Sequence, residues 1–238
     1  ALHLLLVYGG VLEFSRDVGD LALNASYIVI QYGRLIVGTE EDPFLSNAAL
    51  TIVGQRTAYE LPVYGAKTIA VRTGELCLHG RPRVSWTKLA ETAAAGNTTI
   101  VVRDDTDWEV GDHLWVSSTE YDQFEAEEIW ITDISADGRV IQISKPLLYE
   151  HWGAGWEADG ASGESMDAYR ASVGLLTRNV VIQGDDVYTK AQQFGVQVVL
   201  STESTTGDNP LLGQFSNVEV RRAGQGLKIG KYPIHFHL

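Results

Sequence analysis

Val71-Arg-Thr-Gly-Glu-Leu-Cys-Leu-His-Gly80 is the stretch whose reading decides the fold. Gly74 turns the backbone, Leu76 and Leu78 alternate with Glu75, Cys77 and His79, and Gly80 ends the run. That is a short strand with one apolar face, bounded by residues that tolerate tight bends. The phrase recurs as Gly10-Val-Leu-Glu-Phe14 and as Gly33-Arg-Leu-Ile-Val-Gly38, with Gly33 standing 23 residues after Gly10. Gly74 follows Gly33 by 41 residues, and Ala49-Leu-Thr-Ile-Val-Gly54 reads as a variant copy in the gap. Glycine-led strands at such intervals predict a solenoid of stacked coils. The fold class expected is all-β: a right-handed parallel β-helix interrupted by a small antiparallel β-barrel insert. Leu12, Phe14, Leu35, Val37, Leu76 and Leu78 are expected in one continuous core.

Composition agrees. The 238 residues include 24 glycines, ten tyrosines and six tryptophans, which suits a turn-rich β protein. Thirty-one acidic against 18 basic residues give a net charge of -13, which disfavours a phosphate backbone as partner. No apolar run reaches the roughly 20 residues that span a membrane. The single cysteine, Cys77, excludes an internal disulfide and reads as a small buried hydrophobe. Asn24-Ala-Ser26 and Asn97-Thr-Thr99 match the N-glycosylation acceptor pattern and point to the secretory pathway. Both ends stop inside strand patterns, so the chain reads as an internal fragment.

Along the chain, residues 1–96 are assigned to solenoid coils, with loops at 40–47 and 55–65. Turns at Val110-Gly-Asp112 and Ala136-Asp-Gly138, the latter a good hairpin signal, join parts of a set of four short strands between 98 and 144, and residues 97–151 are read as the antiparallel insert. Its expected core is Ile100, Val102, Trp108, Leu114, Val116, Ile129, Ile131, Ile141 and Ile143. Residues 152–172 form a loop rich in small residues, containing Trp152 and Trp156. From 173 to 238 the parallel β-helix resumes, truncated at its C-terminus.

Taken together, Leu78-His-Gly80, Trp86-Thr-Lys-Leu89, Asp107-Trp-Glu-Val-Gly-Asp112, Gly174-Leu-Leu-Thr-Arg-Asn179 and Tyr232-Pro-Ile-His-Phe-His237 resemble the G8 domain and parallel β-helix repeats of the fibrocystin and fibrocystin-L family. The resemblance extends more distantly to the cell-migration-inducing, hyaluronan-binding proteins. It implies a large glycosylated ectodomain, extracellular or at the cell surface and on cilia, tethered by a membrane span outside this segment. Expected partners are other extracellular or ciliary-surface proteins and glycans. The resemblance carries over no catalytic residue.

Several constellations bear on chemistry. His235 and His237, two apart on a strand, share one face while Ile234, Phe236 and Leu238 take the other. With His79 on another coil they are candidate ligand-binding residues. A His-x-His pair supplies two of the ligands zinc would need, yet the expectation is hydrogen bonding between coils, with no metal and no cofactor. Arg178 and Arg221 are the candidate clamps for an anionic glycan. Glu125, Glu127, Glu128, Asp104, Asp105 and Asp107 read as solvated barrel surface. No hydrolase elbow, P-loop, dinucleotide fingerprint or Cys-x-x-Cys pair is present. The functional expectation is a non-catalytic extracellular scaffold or adhesion segment; the alternative is a polysaccharide-cleaving, hyaluronidase-like β-helix.

Overall fold

The computed structural model describes residues 1–153, 169–202 and 211–237. Trp156, most of the loops expected at 152–172 and 201–210, and Leu238 lie outside them. The described chain divides into two compact units, one formed by Ala1–Pro82 with Arg178–Leu238 and the other by Arg83–Thr177.

The first unit is built of coils whose strands stack in three parallel rows, two of them joined into one sheet through β3. The chain opens with β1 (Leu2–Tyr8) and β2 (Val11–Glu13), followed by the long β3 (Leu21–Gln31), β4 (Arg34–Val37) and β5 (Ala48–Ile52). Next come β6 (Thr68–Arg72) and β7 (Glu75–His79). Strand β3 serves two rows: its first half, Leu21–Ala25, pairs with β5, while Tyr27–Gln31 pairs with β6 and Ala25–Gln31 with β1. Strands β2, β4 and β7 stack in register as a second sheet. The inner positions form ladders, as in Leu5–Ile28–Ile69 and Leu12–Leu35–Leu76. Phe14, Leu35, Val37, Leu76 and Leu78 are buried in one cluster, with Leu12 packed against it, as the repeat predicts.

The glycine spacing has a direct physical cause. Gly33 stands over Gly10, and Gly74 over Gly33, at the corner where one sheet turns into the next. The amides after these glycines, on Arg34 and Glu75, donate to Gly10 O at 2.8 Å and Gly33 O at 3.0 Å. A Cβ on Gly33 would fall 2.8 Å from Gly10 O, and one on Gly74 would fall 2.6 Å from Gly33 O. No side chain fits between coils so closely stacked. The 41-residue step is therefore one long coil. Ala48–Ile52, expected as a variant copy of the Gly-Leu strand, instead stacks on Leu21–Ala25 in the third row. Apolar alternation is the same on every sheet, so periodicity alone cannot assign a strand to one.

The second unit is antiparallel. Its strands are β8 (Trp86–Lys88), β9 (Thr99–Val101), β10 (His113–Val116), β11 (Glu127–Ile134), β12 (Val140–Ile143) and β13 (Ser172–Leu175), in the order β8-β13-β10-β11-β12-β9. All nine expected core residues are buried in a single cluster there. This unit is wider at both ends than the insert expected at 97–151. Trp86–Lys88 and Ser172–Leu175 belong to it, although the latter alternates like a solenoid strand and was placed in the resumed β-helix. The direction of pairing is decided by distant partners, which a four-residue pattern does not encode.

The parallel coils resume at β14 (Val180–Gly184), followed by α1 (Asp186–Gln192), β15 (Gln197–Ser201), β16 (Leu212–Ser216), β17 (Val218–Arg221) and β18 (Ile234–His237). Strand β14 pairs with β5 and β17, β15 with β6 and β18, and β16 with β7. The Leu5–Ile28–Ile69 ladder thus continues through Val198 to Ile234. The ends of the excursion are joined by Asn179, whose Oδ1 accepts from Arg81 N at 2.8 Å while its Nδ2 donates to Phe44 O at 2.7 Å and Ser46 O at 2.6 Å.

Candidate functional site

The five candidate ligand-binding residues stand on different rows of the first unit. His79 ends β7, His235 and His237 lie on β18, Arg221 ends β17, and Arg178 precedes β14. The structure does not gather them into one site.

His235 and His237 share the outer side of β18, as their spacing predicts. Their rings meet edge to face with centroids 5.3 Å apart, and Tyr232 meets His235 in the same way at 5.4 Å. They line a small cavity of about 190 Å³ together with Lys231, Val63 and Val199. His235 Nδ1 lies 3.0 Å from Gly230 O, and Lys231 Nζ donates to Tyr64 O at 3.1 Å. Burial pulls the Lys231 ammonium below its usual range, with Glu60 pushing the other way. An ammonium beside two imidazoles repels a cation, and among the described residues no three His, Cys, Asp or Glu side chains converge as a metal would require.

His79 is buried, with its Nε2 lacking a hydrogen-bond partner, on the same side of β7 as Cys77. Cys77 is itself buried, and burial, then the Glu75 carboxylate, push its thiol up. That is the environment of an inert thiol. Arg221 Nε donates to Gln183 Oε1 at 2.8 Å and its guanidinium pairs with Glu219 at 3.3 Å. Arg178 Nη1 reaches Asn217 Oδ1 at 3.5 Å. Arg221 thus ties β17 to β14, while Arg178 reaches the residue between β16 and β17.

Three buried polar clusters join residues far apart in the chain. In the first unit Lys67, held at a φ of 54°, buries its ammonium against the Asp185 carboxylate, with Thr189 Oγ1 accepting at 2.9 Å. Asp185 also caps α1, accepting from Tyr188 N at 2.7 Å, and accepts from Gly54 N at 3.2 Å. Burial pulls Lys67 down more strongly than Asp185 pushes it up. Burial raises Asp185, but the Lys67 ammonium and the backbone donors outweigh it and hold the carboxyl low. Both values are lowered, which disfavours the charge on Lys67 and favours it on Asp185: burial dominates for the wholly enclosed Lys67 side chain, whereas that of Asp185 is 13% exposed and holds two backbone donors.

In the second unit Glu127 is buried rather than solvated. Its carboxylate accepts from Leu148 N at 2.9 Å and Tyr149 N at 3.0 Å, and faces His151 Nε2 at 3.2 Å. His151 Nδ1 lies 2.9 Å from Ser117 O, so both ring nitrogens face oxygen atoms. Burial pushes the Glu127 carboxyl up, yet the two amides and His151 together hold it below the ordinary value.

The Asp107–Asp112 motif is also structural. Asp107 Oδ1 accepts from Val84 N at 3.0 Å, Trp108 Nε1 donates to Val84 O at 2.7 Å, and Asp112 Oδ2 accepts from Arg83 Nη2 at 2.8 Å. These six residues, in the loop between β9 and β10, thus clamp the segment that opens the unit. A buried acid pairing with an arginine 29 positions earlier leaves no local pattern to read.

Comparison with known proteins adds four findings. The G8 domain family matches residues 1–90. The chain is 38% identical to human fibrocystin-L over all of its own length, and spans 6% of that protein. It is 34% identical to a G8 domain-containing protein of Dictyostelium discoideum, with 92% of this chain and 18% of that protein aligned. Among solved structures, the tailspike gp61 of Pseudomonas phage phi297 aligns with 82% of this chain and 27% of its own, at 11% identity and a TM-score of 0.35.

Proposed function

We propose, for a chain that carries a G8 domain and is similar along its whole length to fibrocystin-L, that it is an extracellular scaffold or adhesion segment of a cell-surface protein, which presents the outer faces of its sheets to protein or glycan partners. The observation that carries the reading is the placement of the two sequons. Asn24 stands exposed on the outer side of β3, and Asn97 stands exposed just before β9. Attachment at either leaves the interior ladders untouched. The polar residues support the same reading, since Lys67, Asp185, Arg83, Asp112, Glu127 and His151 are engaged in holding backbone and loops.

Two finer points of architecture belong with this proposal. The parallel unit is read as a right-handed β-helix, on the strength of its three-row stacking. The antiparallel unit is read as a closed barrel: Ala90 N donates to Val101 O at 2.8 Å and Arg103 N to Lys88 O at 2.8 Å, joining the two outermost strands of the sheet order. Among the described residues no helix is long and apolar enough to cross a membrane.

Production through a eukaryotic secretory pathway, with intact mass measured before and after glycosidase treatment, tests the compartment. A glycan is expected at Asn97, which lies beside the exposed turn at Gly96, and at Asn24 as well if the surface of β3 is reached. No mass change at either site contradicts the reading.

A further inference from the structure

Four strands of the antiparallel unit carry an arrangement that the scaffold reading leaves unused. Their register places Trp86 opposite Gly174, Gly174 opposite Trp115, and Trp115 opposite Glu128. Paired positions point to the same side of a sheet, so this is one row across the outer face. The neighbouring row on that face pairs His113 with Trp130. Every aliphatic residue of these strands points the other way: Leu114, Val116, Ile129, Ile131, Val173 and Leu175 are all in the core. The outer face therefore holds tryptophans among polar groups.

The tryptophans are exposed where burial is the norm for so large an apolar ring: Trp86 is 59% exposed, Trp130 44% and Trp115 38%. Between Trp86 and Trp115 the floor is Gly174. A Cβ built there would meet only Ser85 O, at 4.0 Å, so nothing in the fold requires glycine at this position. Its φ lies outside the left-handed range as well. What the glycine leaves is a slot between two indoles whose backbones stand two strand spacings apart, about 10 Å. On the far side His113 stacks flat on Trp130, with centroids 4.2 Å apart and planes within 3°. Its Nε2 lies 3.1 Å from the Glu128 carboxylate, whose side chain is 61% exposed.

We infer that Trp86, Gly174 and Trp115, flanked by Glu128 and the His113–Trp130 stack, form a binding platform for an uncharged glycan. A pyranose ring has apolar C–H faces and a rim of hydroxyls, and the platform offers both complements. Rigid indole faces meet the ring at small cost in conformational entropy, and the exposed Glu128 carboxylate accepts from hydroxyls at its edge. The composition of the face selects this occupant. A protein hot spot or a lipid surface would call for a contiguous aliphatic patch, whereas exposed Leu176, across from His113, stands among polar groups and indole rings. An anionic sugar would call for arginine, whereas the row ends in a carboxylate on a chain of net charge -13. The inference goes beyond the scaffold proposal and does not depend on the compartment, since the glycosylation experiment can fail while this platform binds.

Titration of the intact chain with chitohexaose, cellohexaose and mannohexaose, followed by tryptophan fluorescence and calorimetry, tests it. At least one of the three is expected to give a saturable fluorescence change. Trp115→Ala should weaken that binding about tenfold, equivalent to about 1.4 kcal/mol. Gly174→Val is the decisive variant: a β-branched residue suits an open strand position and should hold or raise the melting temperature, while filling the slot and weakening binding to a similar degree. The proposal is overturned if none of the three sugars gives a saturable signal, if Gly174→Val melts normally and binds unchanged, or if a hyaluronan hexasaccharide binds more tightly than all three.

Discussion

At the scale of single residues, buried ionic groups are where charge serves structure in this chain. Glu127 shows the sign of the effect. Its carboxyl is held below its ordinary value in the folded protein, so its contribution to stability is complete above about pH 4.5 and is lost as pH falls through the lowered value. Glu127→Gln removes that dependence. Urea unfolding should show the variant less stable at pH 7 by about 1.5–3 kcal/mol, the range for hydrogen bonds to a charged group. The difference between the two proteins should narrow as pH is lowered from 5 to 3. A gap that stays constant over that range would mean that the carboxylate's charge contributes nothing. The sequence could not announce this residue. Glu127 sits among Glu125 and Glu128 in an acidic run that reads as surface, and its partners are the amides of Leu148 and Tyr149 and the ring of His151, more than twenty positions away. Cys77, by contrast, was legible: alternation around Leu76 and Leu78 fixed a strand, and a lone thiol on it is an ordinary buried residue.

At the scale of elements, glycine-led corners set the coil. Gly10, Gly33 and Gly74 repeat because each coil's backbone rests on the one before, and this is the part of the fold most plainly written in the residues. Gly74→Ala brings a methyl within 2.6 Å of Gly33 O, a backbone atom that cannot swing aside. The variant should lose about 1–3 kcal/mol to overpacking, read as an earlier cooperative melt with unchanged far-ultraviolet dichroism. An unaffected midpoint would mean that the coils are not stacked this closely. Strand assignment was less legible. Ala48–Ile52 and Ser172–Leu175 carry the same alternation as the Gly-Leu strands, yet one joins a different row and the other an antiparallel sheet. Alternation records which side of a strand is buried; it does not record which neighbour buries it. The spacing of His235 and His237 gave their shared side of β18, but buried His79, Arg221 at the end of β17 and Arg178 before β14 stand on other rows, because distance between coils depends on loop lengths that periodicity cannot count.

At the scale of the whole molecule, the central claim is that one set of parallel coils continues across a long antiparallel excursion. Strand β7 ends at His79 and β14 begins at Val180, yet β14 lies beside β5 and β15 beside β6, with Asn179 fastening the return to Arg81, Phe44 and Ser46. The composition of the chain announced strands and turns, and the hairpin signals placed an insert. Its limits at Arg83 and Thr177 depend on which distant strands pair and were not readable. A deuterated sample and its backbone nuclear Overhauser spectrum test the claim most directly. The account predicts parallel cross-strand contacts from Leu50 to Ile182, 132 residues apart, and from Ile69 to Val198, 129 apart, together with antiparallel contacts from Leu114 to Ile129 and to Leu175. Contacts that set Val180–Gly184 beside Glu75–His79, or that pair Ser172–Leu175 in parallel with the coils, would contradict it.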